Sequence, residues 1–175
     1  DLSAEAYFRQ GDDAAMESFA ADLSGGKIDA VIFYNCNPVY DHPLGASIGN
    51  NIEKTKLSVS TSEYKDETAS KVSIIAPDHN YLESWSDSMP VKGHYSLSQP
   101  AISPLFKTRQ AQNSFLIWAG ADKEYYDLMQ EYWKENLFTT QNEISDFQFF
   151  WDKCLHDGVY ENKSDGASDV DLTWN

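Results

Sequence analysis

"IDAVIFYNCNPVY", residues 28–40, is the stretch that decides the fold. Its apolar run from Ala30 to Tyr34 is short, β-branched and cut off at Asn35. Such a run is expected of a strand covered on both faces, as in parallel sheets. Before it, "DDAAMESFAADLSGG" (12–26) places Met16, Phe19, Ala20 and Leu23 at helical spacing. Asp12 or Asp13 is available to cap the start, and Gly25-Gly26 to end it. After it, Leu44, Ile48 and Ile52 recur every fourth residue in "LGASIGNNIEK" (44–54), a second helix weakened by two glycines.

"KLSVSTSEY" (56–64) reads as another strand, "KDETASK" (65–71) as a short helical turn and "VSIIAP" (72–77) as a third strand. Helices alternating with strands mean crossover connections, and crossovers mean parallel neighbours. The expected fold is α/β, three-layer, with a mostly parallel sheet and helices on both faces. Ligands of such sheets sit beyond the carboxyl ends of the strands, where "NCNPVYDHP" (35–43) leaves.

"IIAPDHNYLESWSDSMPVKGHYSLSQP" (74–100) then spends more than twenty residues on turn formers, acids and aromatics. Loops beyond about 12–15 residues usually mark working surfaces or disorder. Tyr81, Leu82, Trp85, Met89, Tyr95 and Leu97 make this one too apolar for disorder, so an ordered, shaped loop is expected. Further on, "SFLIWAG" (114–120) is a short buried helix or strand. "DKEYYDLMQEYWKENL" (122–137) and "EISDFQFFWDKCLHDG" (143–158) are amphipathic helices, the second presenting Ile144, Phe147, Trp151 and Cys154 and ending at Gly158. Their aromatic stripes read as core. One α/β domain over 1–157 is expected, followed by an acidic linker or tail over 158–175.

Composition excludes several functions. Thirteen basic against 28 acidic residues give a formal charge of −15, which repels nucleic acid and anionic membrane surfaces. No stretch approaches the roughly 20 apolar residues of a membrane span, so direct membrane insertion is not expected. A first residue other than methionine and an acidic, Gly/Ser-bearing end suggest a piece of something longer. Cys36 and Cys154 belong to no CxxC pair and read as free thiols.

Asp78, His79, Glu83, Asp87 and His94 share the long excursion, and His79 and Glu83 have the spacing of one helical face. No helical stripe supports them and no second His or Cys follows at ligand spacing, so a hydrogen-bonded loop is preferred to a metal site. Ser84 and Ser86 near His79 lack the GxSxG turn that presents a nucleophile. Neither GxGxxG nor GxxxxGK[ST] occurs, and Asn35 and Asn37 read first as turn formers, with phosphate binding through their amides the alternative.

The order of "DAVIFYNCNPVY", "SEYKDETASKVSIIAPDHNYLESWSD" and "KGHYSLSQPAISPLFKTRQAQNSFLIWAG" resembles the large subunit of the molybdopterin oxidoreductase (dimethyl sulfoxide reductase) family. There a strand ends in an Asn-Pro loop, a later one leads to a Glu-Thr-Ala turn, and the next ends at Pro with a Glu beyond. Here those positions are Asn37-Pro38, Glu67-Thr68-Ala69, Pro77 and Glu83. The usual Gly-Thr step after that Glu is replaced by Ser84-Trp85-Ser86-Asp87, and the family's alanine-aspartate by Ser70-Lys71. The cysteine cluster and metal-ligand residue of the enzymes are also absent from this sequence.

The variant is most similar to the molybdopterin-like half of the iron-sulfur subunit of alternative complex III, a quinol-oxidising assembly. The resemblance implies a non-catalytic scaffold on the periplasmic side of the bacterial inner membrane. It would contact other domains of its own polypeptide and membrane-complex subunits, with Tyr81, Trp85 and Tyr95 as contact residues and no cofactor in this fragment. The alternative is a cleft for molybdopterin guanine dinucleotide, lined by Asn37, Pro38, Glu67, Thr68, Pro77 and Glu83.

Overall fold

The structure, a computed structural model, describes residues 6–7 and 11–162. They gather into two compact units, a division the sequence reading did not make. One comprises 11–80 with 103–119, the other 81–102 with 120–162 and residues 6–7. The fold is mixed α/β, with one parallel and one antiparallel three-stranded sheet.

In the parallel-sheet unit, α1 (Asp13–Ser24) is capped by Asp12, whose carboxylate accepts from the Ala15 amide at 3.0 Å. β1 (Ala30–Phe33) follows, then the single turn α2 (Pro38–Asp41) and α3 (Gly45–Asn51). β2 (Leu57–Ser60) and β3 (Ile74–Ile75) complete a sheet of order β1-β2-β3, parallel throughout, with Ile32 opposite Val59 and Val59 opposite Ile74. Leu23, Ile48 and Ile52 are fully buried, and with Ala20 and Phe33 they form the core beneath the sheet. The glycines that weaken α3 by propensity have a packing role. A Cβ on Gly45 would run into the Val39 and Pro38 carbonyls, and one on Gly49 into the Val39 side chain. Their absence lets α2 and α3 pack closely.

Two strand expectations need correction. β1 is not covered on both faces: Phe33 is buried and Val31 packs on the core, while the intervening Ile32 is 48% exposed. The third strand shrinks to two residues. Just before it the Ser58 and Ser73 hydroxyls take over the pairing: Ser73 Oγ donates to the Ser58 carbonyl at 2.8 Å, and Ser58 Oγ accepts from the Ser73 amide at 2.9 Å. The ambiguous "SFLIWAG" lies on helix α4 (Ala111–Trp118), which is not buried throughout, since Ile117 and Trp118 are exposed. Phe115 meets Tyr34 edge-on at 5.3 Å, and Gln112 Nε2 donates to the Tyr34 hydroxyl at 2.8 Å.

The other unit corrects the reading of the long excursion. Residues 86–98 form a hairpin, β4 (Ser86–Val91) and β5 (His94–Ser98), turned at Lys92-Gly93 with Gly93 at φ 79°. Pro90 sits on β4, an edge strand, beside a register irregularity between Ser88 and Val91. Val159–Glu161, given to the tail by the sequence reading, is strand β6 and pairs antiparallel with β5. Residues 163–175 of that expected tail lie outside the described residues.

Both amphipathic helices are found, each starting later than expected: α5 (Tyr125–Tyr132), continued by a wide turn over Trp133–Leu137, and α6 (Phe147–Asp157), which leaves Ile144 in the preceding loop, still packed on the same core. Met129, Trp133 and Leu137 are buried at a strict spacing of four, which drifts around an α-helix of 3.6 residues per turn; the wider turn takes up that drift. Asp146 caps α6 through the Phe149 amide, and Gly158, at φ 70°, closes it. Trp133 is the hub of the core, with ring contacts to Tyr95 (6.1 Å), Trp151 (5.6 Å) and Tyr160 (6.3 Å). Among the described residues no helix is long and apolar enough to cross a membrane.

Candidate functional site

The carboxyl ends of β1, β2 and β3 open into a cavity of 330 Å³. Asn35 turns the chain out of β1 at φ 50°, a left-handed conformation that Asn tolerates better than most residues. Pro38 then opens α2 at its first position, where its missing amide costs nothing. Asn37, between them, is held from across the cleft. Its Oδ1 accepts from the Thr68 hydroxyl at 2.7 Å and from the Thr68 amide at 3.1 Å. Its Nδ2 donates to Glu67 Oε2 at 2.8 Å, and Thr68 Oγ1 accepts from the Val39 amide at 3.1 Å. Thr68 is fully buried. The Asn-Pro loop and the Glu-Thr-Ala turn are thus clamped together by their own side chains.

Charge in the cavity is of one sign. Asp41, Glu63, Asp66 and Asp78 contribute to its lining, together with Cys36, and no Lys or Arg does. Asp78 accepts from the His79 amide at 2.7 Å and from the Ala111 amide, at the start of α4, at 2.8 Å. Burial outweighs these bonds and raises its carboxyl above the usual range, with Glu63 adding to the rise. The Tyr34 phenol is also raised, by burial and then by Asp78, against the opposing bond from Gln112. Burial likewise raises the Cys36 thiol; a backbone hydrogen bond at Tyr34 opposes it, and Asp66 and Asp41 add to it. A raised thiol is a weak nucleophile.

The sequence-derived residues divide between the units. Asn37, Pro38, Glu67 and Thr68 come together, and Pro77 is exposed in the same unit, its carbonyl accepting from the Arg109 amide at 3.3 Å. Glu83 belongs to the hairpin unit, buried in the turn Tyr81–Glu83. Of the aromatics named as contacts, Tyr81 is 73% exposed. Trp85 lies 4.5 Å from the Tyr126 ring and Tyr95 packs on Trp133, so both also serve their own unit's core. His79 and Glu83 fall in different units, and among the described residues no group of three or more His, Cys, Asp or Glu could hold a metal ion. The sequence reading missed Asp66 and the paired use of Asp78. The signal for Asp66 was local, its side chain accepting from the amide three residues on, Ala69, at 2.7 Å.

No family model matches the chain. Over 109 residues it is 29% identical to the menaquinone reductase, molybdopterin-binding-like subunit of Nitratidesulfovibrio vulgaris strain Hildenborough. The relationship is molybdopterin-oxidoreductase-like. The match covers 58% of this chain and 16% of that subunit, so the chain spans far less than two thirds of its relative.

Proposed function

We propose that this chain is a non-catalytic scaffold segment of a respiratory electron-transfer oxidoreductase subunit, of the quinol-oxidising alternative complex III type. The observation that carries the reading is the clamp: Asn37, Glu67 and Thr68 are bonded to one another. The name of the relative supports the broad class, an oxidoreductase subunit with a molybdopterin-binding-like part.

Molybdopterin guanine dinucleotide does not fit the donors present. An anionic pyrophosphate needs converging N–H groups and cations. Here four carboxylates line the cavity, and the motif's amide and hydroxyl are already bonded internally. In this reading the segment holds no cofactor, and packs against other domains of its polypeptide and subunits of a membrane-associated complex on the periplasmic side. The rival reading, a cofactor cleft, draws on the position of Asn37 at the carboxyl ends of parallel strands.

Growth on tungstate in place of molybdate separates the two. Quinol oxidation by the assembled complex is expected to be unchanged; loss of that activity, with the complex still assembled, would support the rival.

A further inference from the structure

We infer that the free edge of β1 is a strand-addition site, filled by an apolar strand from another segment of the full-length polypeptide. Three observations carry this. First, β1 pairs only with β2 among the described residues. The Asp29 and Phe33 carbonyls both accept from the β2 side, so by the two-residue alternation the Ile32 amide and carbonyl face the other way. Second, among the described residues nothing guards that edge. Ala30–Phe33 contains no Pro or charge, pairs in continuous register with β2, and leaves Ile32 48% exposed. Such edges are normally covered or blunted. Third, a cavity of 460 Å³ runs beside it, walled by Met16, Phe19, Val31, Ile32 and Pro38, ready for the side chains of an added strand.

The occupant follows from topology and charge. The crossovers of this chain place β2 and β3 on one side of β1, and among the described residues no strand takes the other. The aligned stretch is 16% of a much longer relative, and a full-length polypeptide of that kind would have ample chain to supply a neighbour. A second copy fits poorly, because each copy carries a formal −15. Asp12, Asp13 and Asp41 ring the cavity, so the added strand should be apolar with a Lys or Arg at its end. This rests on the scaffold reading, in which the segment packs against the rest of its own chain.

The test replaces Ile32 with photoreactive benzoylphenylalanine in the full-length protein and maps the cross-linked peptides by mass spectrometry. A cross-link to an apolar segment of the same polypeptide outside these 175 residues is expected. A cross-link to a second copy, to another subunit, or to no peptide would overturn the proposal. In a second variant, Ile32→Lys, exchange of the backbone amide at position 32 should quicken roughly tenfold or more relative to the unsubstituted protein, while β2 stays protected. An amide already in free exchange in the unsubstituted protein would refute it. Neither result depends on molybdenum, so the scaffold reading can fail or survive separately.

Discussion

The Thr68 hydroxyl and the Asn37 carboxamide oxygen are 2.7 Å apart, joining the loop after the first strand to the turn after the second. Because Thr68 is fully buried, that bond cannot be handed to water. Thr68→Val should cost about 1–3 kcal/mol, since it strands the Val39 amide and takes from the Asn37 oxygen one of its two donors, leaving only the backbone amide of residue 68. Thr68→Ser should restore most of it, as read from urea unfolding midpoints.

Asp87 plays the corresponding part in the hairpin unit, accepting from Trp133 Nε1 at 2.8 Å and from the Tyr125 hydroxyl at 3.0 Å. Asp87→Ala removes the acceptor of a buried indole, with an expected loss of about 1–3 kcal/mol. In a Trp133→Phe background the same substitution should cost measurably less, a coupling that a double-mutant cycle reads directly.

Stability should respond to Asp78 in the direction opposite to that of a salt-bridged carboxylate. Its folded-state pKa is raised, so between the ordinary carboxylate value and that raised value the folded chain holds more protons than the unfolded one. Stability from this group therefore falls as pH rises through the window, and the full penalty remains above it. Asp78→Asn keeps an oxygen for the His79 and Ala111 amides and should stabilise the chain at neutral pH. The advantage should narrow as pH drops through the raised value and vanish below the ordinary one. Melting temperatures across mildly acid to neutral pH provide the check.

The two thiols should react in a fixed order. Cys154 is buried and its thiol is pushed up to about 11 by burial, whereas Cys36 is exposed. Ellman's reagent at mildly alkaline pH should titrate Cys36 in the native protein, slowly because its thiol is raised too, and Cys154 only on unfolding.

Gly45→Ala tests the close approach of α2 and α3. The added methyl meets backbone carbonyls rather than a flexible side chain, so an overpacking penalty of about 1–3 kcal/mol is expected where helix propensity alone predicts a gain. Thermal unfolding of the variant shows which term wins.

Helices were the legible part of this sequence. Asp12, Gly25 and Gly158 mark their ends, and the stripes of Met16 to Leu23 and of Phe147 to Cys154 fall on core faces, while the cap at Asp146 was not legible and the sequence reading starts that helix four residues early. The hairpin was not legible. Serines at 86, 88, 96 and 98 dilute its alternation, and Pro90 argues against a strand unless that strand is an edge. β6 was hidden because Val159-Tyr160-Glu161 is short and sits in an acidic, turn-like context. At the candidate site the motif residues could be placed by order, yet their mutual bonding could not. Which partner Asn37 takes depends on how two loops thirty residues apart meet, and no local pattern encodes that.

The central claim is that the mouth of the parallel sheet keeps its shape through side chains bonded to each other and holds no metal-bearing pterin. The most direct measurement is the molybdenum content of the purified full-length protein, per polypeptide, by plasma mass spectrometry. The account predicts far less than one molybdenum per chain in protein from molybdate-replete cells. One molybdenum per chain, retained through gel filtration, would contradict it.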